Sequence, residues 1–265
     1  MNELKIGIAI GTYGTPAFIH LHLEIAKRLY PSKILVIDDN SKDTDKLREL
    51  CNMYNVEFLP NSGNPAVKEE SNKDPRTGGI SVKHCLGDLS ITASALTWAK
   101  DNNFPLLVKF SRRFIPLYDW RGELQRIAAC TGYPAYSSWE SYFRFLMKTE
   151  AIGFNVNDWF VIDSVNRLKA QRDPVLVEHF IFEESRKIWK DKCARNKAYA
   201  YTDAALYGDQ AGEHGFGYGI WHIGGIARNQ RLPWRLWHSA NPPKNYLDIA
   251  ENLGIKGYTE NDFAV

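Results

Sequence analysis

"VIDDNSKDT", residues 36 to 44, closes a run of buried-type residues with two acids and a polar turn. With the residues before it, "KILVID" predicts a strand ending at Asp38. Near-continuous β-branched and aliphatic residues suit a parallel strand covered on both faces. Asp39, Asn40 and Ser41 predict a turn. Ser41 or Asp43 then caps a helix whose apolar face is Leu47, Leu50, Cys51 and Tyr54. An acid at such a strand end has two readings: a turn and helix cap, or an acceptor for the hydrogen bonds of a nucleotide.

The flanking sequence repeats the pattern. "KIGIAI" (5–10) predicts a first strand, Gly11 to Gly14 turn the chain, and Pro16 opens a helix with Phe18, Leu21, Ile25 and Leu29 at helical spacing. "VEFLPN" (56–61) predicts a third, shorter strand. Residues 61 to 87 are rich in Gly, Asn, Pro and Lys and read as a long loop. Asp88 is expected to cap the next helix, with Ile91, Ala95, Trp98 and Ala99 inward, before the strand "PLLVKF" (105–110). This alternation predicts an α/β fold with an open, mostly parallel sheet flanked by helices. Ligands in such sheets bind at the carboxyl ends of the strands. Here those ends are Thr12-Tyr13, Asp38-Asp39 and Lys109 to Arg113.

Beyond residue 130 the pattern changes. "YFRFLMKTEAIGFNVNDWFVID" (142–163) predicts antiparallel strands, and "DPVLVEHFIFEESRKIWK" (173–190) a helix begun by Pro174. The tail from Tyr207 to Trp237 is dense in Gly, Trp and His without a clear period. One domain over 1–265 is expected, with 1–120 as its nucleotide-binding half, 121–205 as an acceptor half and 206–265 as an extension or lid.

A chain of 265 residues, 44% hydrophobic, buries a full-sized core. A net charge of +2 is too small to point to nucleic acid or an acidic membrane surface. No stretch reaches the roughly 20 apolar residues that span a bilayer, and "MNELKIGIAIGTYG" lacks signal-peptide character. Cys51, Cys85, Cys130 and Cys193 form no C-x-x-C pair, which fits reduced thiols in a cytoplasmic protein.

The first turn distinguishes two kinds of nucleotide site. A dinucleotide-binding fold needs G-x-G-x-x-G there, with an acid about 20 residues on for the ribose. Tyr13 stands where the second glycine belongs, and its ring obstructs a close pyrophosphate. That argues against a Rossmann oxidoreductase.

An apolar strand ending in Thr12-Tyr13, a helix, and then "VIDDNSKDT" together resemble the family 2-like glycosyltransferases of the GT-A fold. "GDLSITASALTWAKDNN" (87–103) resembles the family's helix before the central strand, and the likeness covers roughly residues 4 to 120. It implies a GT-A-like fold with an antiparallel C-terminal part. It also implies transfer of a sugar from a UDP-, GDP- or dTDP-linked donor to a glycan or other hydroxyl acceptor, with inversion, in polysaccharide biosynthesis. Thr12, Tyr13, Asp38 and Asp39 inherit the role of cradling base and ribose.

The chain departs from that family at its next strand end. There the family carries Asp-x-Asp, which holds Mg²⁺ or Mn²⁺ against the donor diphosphate, but this sequence reads "VKFSRRFIPL" (108–117). One register sets Lys109 and Ser111 in the aspartate positions; another sets Arg113 in place of a single Asp. Either way the metal-binding carboxylate is replaced, which leaves no metal ligands assigned and makes Lys109, Ser111, Arg112 and Arg113 the candidates for neutralising diphosphate. If the segment stays extended, Lys109, Ser111 and Arg113 share one face and Arg112 takes the other.

An inverting transferase also needs a carboxylate as base. Glu178 is the first candidate and Asp158 the second, with Glu150 and His179 behind them. "EHGFGYGIWHIGG" (213–225) suggests a lid whose His214 or His222 meets the diphosphate, while Trp221, Trp234 and Trp237 are either sugar platforms or packing. The alternative from another class is a relative that binds a nucleotide or glycan without catalysis.

Overall fold

A computed structural model of the chain describes residues 5–39, 41–60, 83–117, 119–137, 151–171, 177–196, 235–236 and 242–264. The first half is β1 (Ile6–Thr12), α1 (Ala17–Leu29), β2 (Ile34–Asp38), α2 (Thr44–Met53), β3 (Glu57–Pro60), α3 (Lys83–Asp101) and β4 (Leu106–Ser111). Then come β5 (Ile115–Pro116), α4 (Arg121–Thr131), β6 (Ala135–Ser137), β7 (Ala151–Asn155), α5 (Asp158–Val161), α6 (Ser164–Ala170) and α7 (Val177–Arg195). The last elements are β8 (Arg235–Leu236), α8 (Pro243–Asn252) and a 3-10 turn at Glu260–Phe263.

Six strands form one sheet in the order β3-β2-β1-β4-β7-β6. β1 lies between β2 and β4 and runs parallel to both, and β3 extends the parallel part. β7 runs antiparallel to β4 and β6. This is the open α/β sheet with an antiparallel later part that the GT-A resemblance implies. Among the described residues, no helix is long and apolar enough to cross a membrane.

Apolar layers cover the sheet on both sides. Ile6, Ile8 and Ile10 of β1 and Val108 and Phe110 of β4 pack with α1, α2, α4 and α8. Ala9, Leu107, Ile152 and Phe154 pack on the other face with α3, α6 and α7. Within the apolar run of β1, one face carries isoleucines and the other only Gly7, Ala9 and Gly11. The small face lets α3 come close. A Cβ at Gly7 would lie 2.9 Å from Trp98 and 3.0 Å from Phe104, and one at Gly11 3.0 Å from Ile91.

Several local expectations change in the folded chain. α3 begins at Lys83, so Asp88 sits inside the helix and does not cap it. Residues 83–87 of the expected loop are helical, and residues 61–82 lie outside the described residues. Of the segment 142–163, only Ala151–Asn155 is a described strand. Asp158–Val161 is helical instead, with Trp159 fully buried and its indole N–H donating to the Pro134 carbonyl at 2.8 Å. Leu29 is exposed, whereas Phe18, Leu21 and Ile25 are buried as expected. Asp43 takes the N-cap position of α2 without a side-chain cap bond. Cys51 and Cys193 are free and buried.

Two predictions follow from this packing. Gly7→Ala is expected to cost about 1–3 kcal/mol in denaturant unfolding through overpacking, because Trp98 is held by its indole N–H to Glu57 at 2.8 Å and yields poorly. A variant as stable as wild type would show that α3 adjusts freely. The second concerns His22 of α1, fully buried beside Tyr30 and Phe110, where burial lowers its pKa from 6.5 to about 3. The unfolded chain therefore takes up a proton that the folded chain refuses. The associated stability is complete above pH 6.5 and falls as pH drops from there towards 3, by up to about 1.4 kcal/mol per unit. Unfolding of His22→Phe should lack this component; identical pH profiles would remove the assignment.

Candidate functional site

The carboxyl ends of β1, β2 and β4 lie side by side, with Thr12 opposite Asp38 and Gly11 opposite Ser111 in the sheet register. The loops that leave them are bound together. Asp38 is fully buried, and its carboxylate accepts from the Ser41 N–H, from Ser41 Oγ at 2.5 Å and from Thr44 Oγ1 at 2.6 Å. Ser41 Oγ in turn accepts the Gly14 N–H at 2.7 Å, and the Asp39 N–H donates to the Thr12 carbonyl at 2.8 Å. The β1–α1 and β2–α2 loops thus form one unit. Asp38, expected to hold a nucleotide, holds this turn through the Ser41 and Thr44 donors. Asp39 follows it and is nearly buried.

At the end of β4 the chain turns after Ser111, and the Phe114 N–H returns to the Ser111 carbonyl at 3.0 Å. Strand alternation therefore stops before Arg112, and the expectation that Arg113 shares a face with Lys109 does not hold. Lys109, 1% exposed, points towards α3 and pairs with Asp88. That partner removes it from the role of free cation for diphosphate.

Arg112 swings to the opposite side of the sheet. Its guanidinium lies 5.3 Å from the ring centroid of Phe18 and against Gly14, where a Cβ would collide with Nη1. Gly14 has φ +101, a conformation that L side chains rarely adopt, and a side chain there would also displace the Arg112 head. Among the described residues no carboxylate pairs with Arg112. Burial first and the Arg113 charge second push its pKa down to about 10, with Tyr13 opposing the shift. Thr12 Oγ1 and Ser111 Oγ are also buried, without hydrogen-bond partners among the described residues. Tyr13, 45% exposed, stands at the mouth of this group.

The acceptor-side candidates separate. Asp158 follows β7 past Asn155, which pairs with Leu106 at the amino end of β4. It is therefore at the wrong end of the sheet, and Lys192 binds its carboxylate at 2.8 Å. This ion pair joins α5 to α7. Glu178 is half-buried in the first turn of α7, about 21 Å along that helix from Lys192. His179 is exposed. Glu150, His214, His222, Trp221, Trp234 and Trp237 lie outside the described residues.

Sequence reasoning missed the supports of this site. Nothing in the spacing linked Ser41 to Gly14, Asp88 to Lys109 or Phe18 to Arg112. Loop composition carries no such information, and only the Ser41 cap expectation came near. A separate cavity of about 440 Å³ opens at the β3 edge between Leu59, Thr97, Trp98 and Lys169, and none of the strand-end residues line it.

No family model matches the chain, and no curated protein matches it in sequence. Solved structures do. A cytidylyltransferase from Leptospira borgpetersenii is 14% identical over 71% of this chain and 73% of its own, with a TM-score of 0.39. Residues 1–349 of TarS from S. aureus, solved with UDP, are 12% identical over 69% of this chain, which spans 55% of that one, with a TM-score of 0.44. Glucosyl-3-phosphoglycerate synthase from Mycobacterium tuberculosis, solved with phosphoglyceric acid, is 11% identical over 72% of this chain and 80% of its own, with a TM-score of 0.37.

The link between the two loops generates a prediction. Ser41→Ala leaves the Gly14 N–H and part of Asp38 without partners and should cost about 1–3 kcal/mol in denaturant unfolding. Wild-type stability in that variant would mean that water replaces the hydroxyl without loss.

Proposed function

We propose that the chain is a glycosyltransferase that takes a sugar from a nucleotide-linked donor to a glycan or other hydroxyl acceptor. The observation that carries this reading is Arg112, a largely desolvated guanidinium without a carboxylate partner among the described residues, set where three parallel strands end. A buried cation is stable when an anion completes it. Guanidinium, with its fork of donors, suits a diphosphate.

In this reading Tyr13 offers its exposed ring to the base, and Asp39 and the Thr12 hydroxyl accept or donate to base and ribose. Arg112 and Arg113 neutralise the diphosphate as it leaves, and Ser111 Oγ donates to it. The acceptor oxygen forms a bond to the sugar's anomeric carbon. The bond from that carbon to the diphosphate oxygen breaks, the electron pair departs with the nucleoside diphosphate, and the acceptor proton passes to a carboxylate. Glu178 is the base we assign, and a single displacement of this kind inverts the anomeric centre. Cationic stabilisation of the departing charge by one preorganised donor is worth about 2.7–4 kcal/mol in comparable sites. A divalent metal then need not carry that charge. A surface polysaccharide is the acceptor class that the sequence resemblance favours. One observation favours the alternative, a nucleotide- or glycan-binding relative without catalysis: the family's metal-binding acids are replaced in "VKFSRRF" (108–114).

The test is calorimetry with UDP, GDP and dTDP and their nucleosides, in excess EDTA. Binding of one diphosphate is expected to persist. Arg112→Ala should weaken that diphosphate by about tenfold or more, as expected for a hydrogen-bonded charge, and the nucleoside little. Slow hydrolysis of the matching nucleotide sugar would separate the enzyme from the binding protein. If EDTA abolishes binding and Mn²⁺ restores it, carboxylates hold an ion and the arginine reading fails.

A further inference from the structure

The guanidinium of Arg112 has a back wall. Phe18 carries it on one side, and on others Phe18 meets Tyr246 edge-on at 5.0 Å and Phe263 at 5.3 Å. Tyr246 and Phe263 stack on each other at 5.9 Å. Both belong to the segment formed by α8 and the 3-10 turn after it, and both are 1% exposed. The same segment holds the site at two points, one backbone and one side chain. The Tyr246 hydroxyl donates to the Arg113 carbonyl at 3.0 Å, across 133 residues of sequence, and Thr15 Oγ1 donates to the Asp262 carbonyl at 2.6 Å.

We propose that α8 and its following turn are a structural part of the anion site, with Tyr246 as the residue that positions the Arg112–Arg113 turn. The inference rests on the reading of the strand ends as a diphosphate site. Its physical basis is the problem that two adjacent cations present. Arg112 and Arg113 repel each other, and a long guanidinium side chain gains entropy by moving into solvent. A cation held in place before the ligand arrives contributes more than one that must be ordered on binding. Phe18 holds the head of Arg112, and the Tyr246 hydroxyl holds the peptide that follows it. Packing alone does not require that hydroxyl: a phenylalanine at 246 would fill the same space against Phe18 and Phe263. A buried phenol is instead expected to have a partner, and here the partner is the backbone of the cationic turn.

The experiment uses the full chain and inorganic pyrophosphate, which probes the diphosphate subsite without knowledge of the base. Tyr246→Phe removes only the hydroxyl. It should raise the Kd for pyrophosphate about three- to tenfold, the worth of one hydrogen bond, and that of the nucleoside by less than twofold. The thermal midpoint should fall by no more than about 4 °C. Phe263→Leu, which leaves the hydroxyl and removes a ring from the wall, should act in the same selective direction. Equal affinity of wild type and folded Tyr246→Phe for pyrophosphate, with Arg112→Ala weakened, overturns the positioning role while the anion site stands. A parallel loss for pyrophosphate and nucleoside together overturns it too, as general loosening of the fold. Failure of wild type to bind pyrophosphate or any nucleoside diphosphate overturns the anion site and this inference with it.

Discussion

The ion pair between Lys109 and Asp88 decides both how the central layer closes and what charge the site presents. Lys109 is the one charged side chain of β4, and it lies in the middle of the sheet with almost no exposure. Unpaired, an ammonium there would cost several kcal/mol. α3 supplies the partner from a half-buried position, so the pair fastens α3 across β4 as well as neutralising the lysine. Of the cationic group 109 to 113, Arg112 is the one without a carboxylate partner among the described residues. An electrostatic site is defined by which of its charges are already satisfied, and here the satisfied one is the lysine.

The same division applies to the acids of β2. Asp38 is consumed by local donors and becomes the pin that joins two loops through Ser41 and Gly14. Asp39, one residue later, is buried beside the Thr12 carbonyl that its N–H holds. Gly14 completes the arrangement. Its positive φ lets the β1–α1 loop receive the Ser41 hydroxyl, and its missing side chain leaves room for the Arg112 guanidinium.

Beneath the site, the two faces of β1 differ. Isoleucines fill one face, and Gly7, Ala9 and Gly11 admit the Trp98 and Ile91 side chains of α3 on the other. Close approach of α3 brings Asp88 within reach of Lys109. The aromatic wall of Phe18, Tyr246 and Phe263 does the corresponding work on the α1 face. The strand ends are therefore braced from both layers, and the turns that leave them start from fixed positions.

The sequence by itself determined the strand–helix alternation of the first half, the parallel character of its strands and the carboxyl-end location of the polar residues. These follow from local periodicity, which records how each segment meets its surroundings. Local signals also fixed the inward faces of α2 and α3, where Leu47, Leu50, Cys51, Ile91 and Ala95 are buried. Only the tertiary structure decided that Asp88 lies inside a helix and answers Lys109, that Asp158 stands at the far end of the sheet with Lys192, and that Arg112 rather than Lys109 lacks a carboxylate partner among the described residues. The reason is that charge is a pairwise property. A residue's type sets the sign, but its partner sets what remains for chemistry, and the partners here are 21 and 34 residues away in sequence. No local period encodes such a distance; the packing of α3 on β4 and of α7 on α5 does.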